Sequence, residues 1–185
     1  MRIEKEKIKM SFAEWEKAIC EYTLPTWDNL PEIELYMDQV ISLIEKYMKL
    51  YIEVMGSDKI ITPAMINNYV KLGIIPSPVK KRYSKLHLAY LLIVCTLKQT
   101  LAISTIQRII PQNLNEDEVI KIYNSFVENQ NKAFVYVLDN TKTVANPIIT
   151  YDGENSDRVN DLVLQVAASA NILKLLTEKI TEMTK

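Results

Sequence analysis

A chain of 185 residues fits one domain, or one small domain with a helical extension. Its 48% hydrophobic content is enough for a real core, which excludes a disordered tail, and with only 3 glycines and 7 prolines it lacks the turn residues of a strand-rich fold. The net charge of −1 hides an asymmetry: Lys59 to Asn115 holds no Asp or Glu and eight basic residues, while the remainder carries 14 basic and 23 acidic ones. A surface cleared of carboxylates that keeps Lys and Arg suits a polyanion, of which DNA is the commonest.

Taken in chain order, Ser11 with Glu14 reads as a capping box opening a short helix, Phe12 to Tyr22. A second helix is predicted from about Pro31 to Met55, on apolar positions recurring at three and four from Ile33 to Met48, closed by Gly56. Thr62-Pro63 is a strong start for a third helix, which runs through Ile66 and Tyr69 and stops at Gly73. Pro76 and Pro78 make Ile74 to Tyr83 a loop or a very short hairpin. Ser84 caps a helix predicted over His87–Gln99, and Ser104 with Gln107 opens a short helix ending before Pro111.

Asn115 with Glu118 opens a long amphipathic helix, roughly Glu116 to Leu138, and Asn146 to Asn155 is expected to be a loop containing Pro147. The last helix is predicted to start after Ser156 and reach Met183. Val159, Leu162, Val166, Ser169, Leu173, Leu176, Ile180 and Met183 form a heptad seam within it, widened by Val163, Ala167, Ala170, Ile172 and Leu175. A stripe that wide is expected to pack on another helix of its own domain, with a dimer seam as the alternative. The fold class expected is all-α, in three parts: N-terminal helices over 1–58, a basic core over 59–111 and a C-terminal helical pair over 112–185.

The stretch Thr62 to Arg108 carries Thr62-Pro63, Ile66, Tyr69, Gly73-Ile74-Ile75, a proline at 76 or 78, Arg82-Tyr83-Ser84 and Leu88 in order. This pattern resembles the winged helix-turn-helix of the mercury-resistance-regulator (MerR) family of bacterial transcription factors. The resemblance implies a DNA-binding core with a short wing, embedded in a helical scaffold. More narrowly, the stretch from Ile61 to Leu92 is similar to a bacterial family catalogued as a domain of unknown function, which extends to the lead-in around Trp27. The chain departs from the MerR pattern at Asn67, where that family usually has an Arg, and in the Gly56-Ser57-Asp58-Lys59 segment before the helix.

Physical chemistry points the same way. A helix beginning at Thr62 presents Ala64, Met65, Asn67 and Asn68 to a major groove, where Asn pairs bidentately with adenine and an apolar side chain meets a thymine methyl. Lys71, Lys80, Lys81, Arg82 and Lys85 would sit on phosphates, and Tyr69 and Tyr83 would donate their hydroxyls to phosphate oxygens. The partner expected is double-stranded DNA, bound by a monomer or a homodimer. A small apolar effector is a further candidate, held by Tyr123, Phe126, Phe134 and Tyr136. The bland readings are a core tyrosine at 69, exposed asparagines at 67 and 68, and a solvated loop at 80–82.

No enzymatic constellation is visible. His87 is the only histidine and is expected to be structural or to face a phosphate. Cys20 and Cys95 match no metal or redox spacing, the glycines form no phosphate loop, and no cofactor is expected. The charged opening MRIEKEKIKM is no secretory signal, and Leu86 to Val94 reads as the longest apolar-rich stretch, too short to span a membrane. These features predict a cytoplasmic protein. The competing class is a non-enzymatic helical module whose basic face meets an acidic protein.

Overall fold

The structure, a computed structural model, describes residues 5–56, 59–111, 114–150 and 156–183. Among them the fold is all-α, with eight helices and a single 3₁₀ turn, Trp27–Asn29. The helices are α1 (Lys5–Glu21), α2 (Met37–Tyr47), α3 (Lys49–Met55), α4 (Pro63–Lys71), α5 (Lys85–Leu97), α6 (Ile103–Ile109), α7 (Glu116–Thr150) and α8 (Ser156–Met183).

Several boundaries differ from those expected, each for a physical reason. α1 begins at Lys5, so Ser11 lies inside it; the Lys, Glu, Ile and Met residues ahead of Ser11 are competent helix formers and carry the helix past the supposed cap. The helix expected from Pro31 to Met55 is two helices. Leu35 is drawn into backbone pairing with Tyr83, which keeps the chain extended until Tyr36, and the turn breaks again at Met48 (φ −99°, ψ 17°). Ser104 falls in the first turn of α6 rather than at its cap. α7 continues to Thr150, so residues 146–150 are helical; Pro147 removes one backbone hydrogen bond, that to the Thr143 carbonyl, without ending the helix. The rest of the expected loop, 151–155, lies outside the described residues.

Other caps form as expected. Gly56 closes α3 at a left-handed φ of 61°. At the start of α7 the Asn115 N–H donates to Glu118 Oε2 (2.9 Å) and the Glu118 N–H donates to Asn115 Oδ1 (3.0 Å).

The chain divides into two compact units, Thr23–Asn129 and Met1–Tyr22 with Gln130–Lys185. The first joins the second N-terminal helical segment, the basic core and the opening turns of α7. Its centre is α5, where every residue from His87 to Thr96 is buried, and α2 packs on both α4 and α5. Trp27 and Tyr123 meet edge to face (6.4 Å between centroids), and the Tyr123 hydroxyl donates to the Pro25 carbonyl (2.8 Å). In the second unit, Lys142 pairs with Glu16 (2.5 Å), and Tyr22 meets Phe134 edge to face (5.5 Å).

Candidate nucleic-acid interface

α4 is fixed at both ends. Thr62 Oγ1 accepts from the Met65 N–H (3.3 Å), and Pro63 occupies the first turn, where its missing N–H costs nothing. At the other end Gly73 takes φ 69°, which lets the Ile74 N–H reach the Tyr69 carbonyl (2.9 Å) and the Gly73 N–H reach that of Val70 (3.0 Å). Gln107 of α6 donates to the Leu72 carbonyl (2.9 Å), one more terminal acceptor satisfied.

Ile66 and Tyr69 turn inward and are buried. Ala64, Asn67, Asn68 and Lys71, spaced three, four and seven apart from the first, form one exposed stripe. Met65 is half-buried, with Lys98 Nζ 3.7 Å from its sulfur, and burial pushes the Lys98 pKa down.

After the buried pair Ile74-Ile75 comes a minimal hairpin. The Arg82 N–H donates to the Val79 carbonyl (2.9 Å), and Leu35 and Tyr83 exchange both backbone bonds (2.9 and 2.8 Å). The two residues at the tip are lysines in the left-handed region, Lys80 at φ 49° and Lys81 at φ 63°. Positive φ at both central positions is the two-residue turn that matches strand twist, and it usually recruits Asn and Gly. Two lysines there carry local strain.

Pairing Leu35 with Tyr83 sets Tyr36 across from Arg82. The guanidinium lies 4.9 Å from the Tyr36 ring centroid and donates to its hydroxyl (3.0 Å). Lys80, Lys81 and Arg82 are exposed.

A family model described as a domain of unknown function (DUF1836) matches residues 25–126, more than half of the chain. The chain belongs to the DUF1836 family. No curated protein and no solved structure matches it. The matched residues coincide almost end to end with the compact unit Thr23–Asn129, so the DUF1836 segment is a compact unit of the structure as well as of the sequence.

Within the DUF1836 unit, three expected phosphate ligands are placed inside. Tyr69 and Tyr83 are each 3% exposed; burial raises both pKa values, Tyr69 to about 12. Lys85 is buried too, ion-paired with Glu32, and its Nζ lies 5.2 Å from the Trp27 ring centroid. The carboxylate-free segment of sequence is therefore not carboxylate-free in space, because Glu32 arrives from 53 residues away. Tyr36 and Glu32 were missed as site residues by sequence reasoning, since only their partners mark them, and Gln107, expected in a capping box with Ser104, instead reaches the Leu72 carbonyl.

His87 occupies the third position of α5. Its Nδ1 accepts from the Ser84 N–H (3.0 Å), the part a Glu or Gln plays in a capping box, which leaves the ring proton on Nε2. Tyr83 stacks edge-on against the ring (5.4 Å). Nε2 is buried without a hydrogen-bond partner; burial lowers the pKa and outweighs the Ser77 carbonyl, the Glu34 carboxylate and the Pro76 carbonyl, which favour the charged form.

The aromatics suggested for an effector are spread out. Tyr123 is core in one unit, and Tyr136 is exposed in the other. No group of three or more His, Cys, Asp or Glu suited to a metal occurs among the described residues.

Proposed function

We propose that the DUF1836 unit binds duplex DNA as part of a transcriptional regulator, in the manner of a MerR-like winged helix-turn-helix. α4 would enter the major groove and the 79–82 hairpin would act as a short wing on the phosphates. The observation that carries the reading is the exposed stripe Ala64, Asn67, Asn68 and Lys71, which holds no carboxylate and is followed by a strained turn displaying Lys80 and Lys81. Asn67 and Asn68 supply donor–acceptor pairs for adenine edges; Lys71, Lys80, Lys81 and Arg82 supply phosphate contacts. Thr62 and Met65 flank the stripe as cap and half-buried support. Tyr69, Tyr83 and Lys85 serve by holding the helix and hairpin in place.

Selection from a random duplex pool at near-physiological salt tests this. Enrichment of a motif, lost when Lys80, Lys81 and Arg82 are changed to Ala, is the expected result. Sequence-dependent loss on Asn67→Ala would then assign the reading helix. No enrichment by the parent protein sinks the proposal.

A second reading has its own observation. Ile33, two residues before the pairing residue Leu35, and Val79, in the hairpin, are 69% and 67% exposed, and exposed apolar side chains suit a protein partner better than a phosphate backbone. A helical interaction module would bind without any DNA motif and would be weakened by Ile33→Asp with Val79→Asp.

A further inference from the structure

The heptad stripe of α8, expected to be covered by another helix of its own domain, is largely exposed. Val166, Leu173, Leu176, Ile180 and Met183, all on the seam, are between 44% and 75% exposed, and the flanking Val163 and Ile172 are 61% and 62% exposed. α8 is also long and apolar enough, from Val159 to Met183, to cross a membrane by length and composition, which corrects the expectation that Leu86–Val94 is the longest apolar stretch. A helix with such a face uncovered has a partner outside itself.

We propose that this partner is a second copy of the chain, with α8 packed against α8 along the seam. Area, charge placement and spacing carry the choice. Seven large side chains exposed to this degree present on the order of 700 Å² of surface, close to the ~800 Å² that each partner contributes to a standard interface. Asp161, Lys174, Glu178 and Glu182 lie off the seam and its flanks; Lys179, one heptad after Ile172, is on a flank, where its exposed ammonium pairs with Glu182 at the rim, so two stripes can meet without burying a carboxylate or ammonium in the seam. The three–four alternation is sustained from Val159 to Met183, as knobs-into-holes packing requires.

A bilayer fits less well. The longest uncharged run, Leu162 to Leu173, rises only about 18 Å at 1.5 Å per residue, short of a ~30 Å hydrocarbon core. Lying flat on a membrane would call for a Lys- and Arg-rich polar face, whereas acidic residues outnumber basic ones along α8. Val135, Tyr136 and Val137 of α7, in the same unit, are exposed as well and would extend an interface between copies.

The inference does not depend on DNA binding, and its test uses none. Sedimentation equilibrium of the full chain should show a dimer at micromolar concentration. Leu173→Glu with Leu176→Glu should raise the dissociation constant ~100-fold or more, since each charge would be buried unpaired. Leu164→Glu, off the stripe, should leave the dimer intact, and circular dichroism should show the DUF1836 unit folded in both variants. A parent protein that stays monomeric, or a dimer indifferent to the double substitution, would overturn the proposal. So would dissociation of equal size by Leu164→Glu, or co-sedimentation of the monomer with phosphatidylcholine–phosphatidylserine vesicles.

Discussion

α5 and α8 are both rich in leucine, isoleucine and valine, and they end up in opposite surroundings. α5 buries its residues on every side, which lets it serve as the axle of the DUF1836 unit. α8 leaves Leu164, Leu173, Leu175 and Leu176 more than half exposed. Composition alone does not decide burial; what decides it is whether neighbouring elements supply complementary faces. α2 packs on α5, while the apolar face of α8 is left exposed, the face we propose meets a copy of itself.

The largest expected effect follows directly. Leu91→Ala, at a site with no exposure, should cost about 2–5 kcal/mol in urea unfolding. Leu164→Ala, 67% exposed on α8, should change stability by no more than about 0.5 kcal/mol. Equal effects would erase the contrast between the two helices.

The next comparison sets Lys85 against Lys80 and Lys81. Lys85→Ala removes the buried end of the pair with Glu32 and its contact with Trp27, and should lower stability by about 1–2 kcal/mol with little change in the proposed DNA binding. Lys80→Ala with Lys81→Ala should do the reverse, leaving unfolding nearly unchanged and flattening the salt dependence of binding by about two counterions. Titrations of DNA at several salt concentrations, paired with thermal unfolding, separate the two classes.

How far the sequence discloses these roles can be judged residue by residue. The ends of α4 are legible because Thr62-Pro63 and Gly73 act through their own backbone. The exposed Asn67 and Asn68 are legible from helical spacing. What the sequence hides is long-range pairing: Leu35 holds Tyr83, Tyr36 holds Arg82, and Glu32 neutralises Lys85. No local propensity encodes a partner some fifty residues away. Pro147 misleads for the converse reason, since a penalty at one residue does not outweigh the rest of a 35-residue helix.

A smaller effect of opposite sign is expected at the hairpin tip. Lys81→Gly relieves a left-handed lysine and should stabilise the fold by about 0.5–1 kcal/mol. On the proposed DNA-binding reading it would also remove one phosphate contact, so DNA binding should weaken as stability rises. A variant that gains both would separate Lys81 from the interface.

The smallest effect concerns His87 and can be isolated by an internal parallel. At the start of α2, Gln39 Oε1 accepts from the Tyr36 N–H (2.9 Å); at the start of α5, His87 Nδ1 accepts from the Ser84 N–H. The two positions are equivalent, so His87→Gln should preserve the cap while removing the titration. Burial holds the folded pKa of His87 below its ordinary value of 6.5, so the unfolded chain binds the proton first. Its contribution is therefore complete above pH 6.5 and declines as the pH falls through 6.5 toward the lower folded value, because protonation also removes the lone pair that accepts from Ser84. Carboxylates contribute their own acid sensitivity in both proteins, so the informative quantity is the difference between parent and variant. Unfolding free energies measured from pH 7.5 to 5 should converge as acid is added, the parent losing more than His87→Gln. Parallel curves would mean that folding leaves the ring's pKa unshifted, and a parent that gains on His87→Gln in acid would mean that the Ser77 carbonyl, Glu34 and the Pro76 carbonyl hold the ring charged.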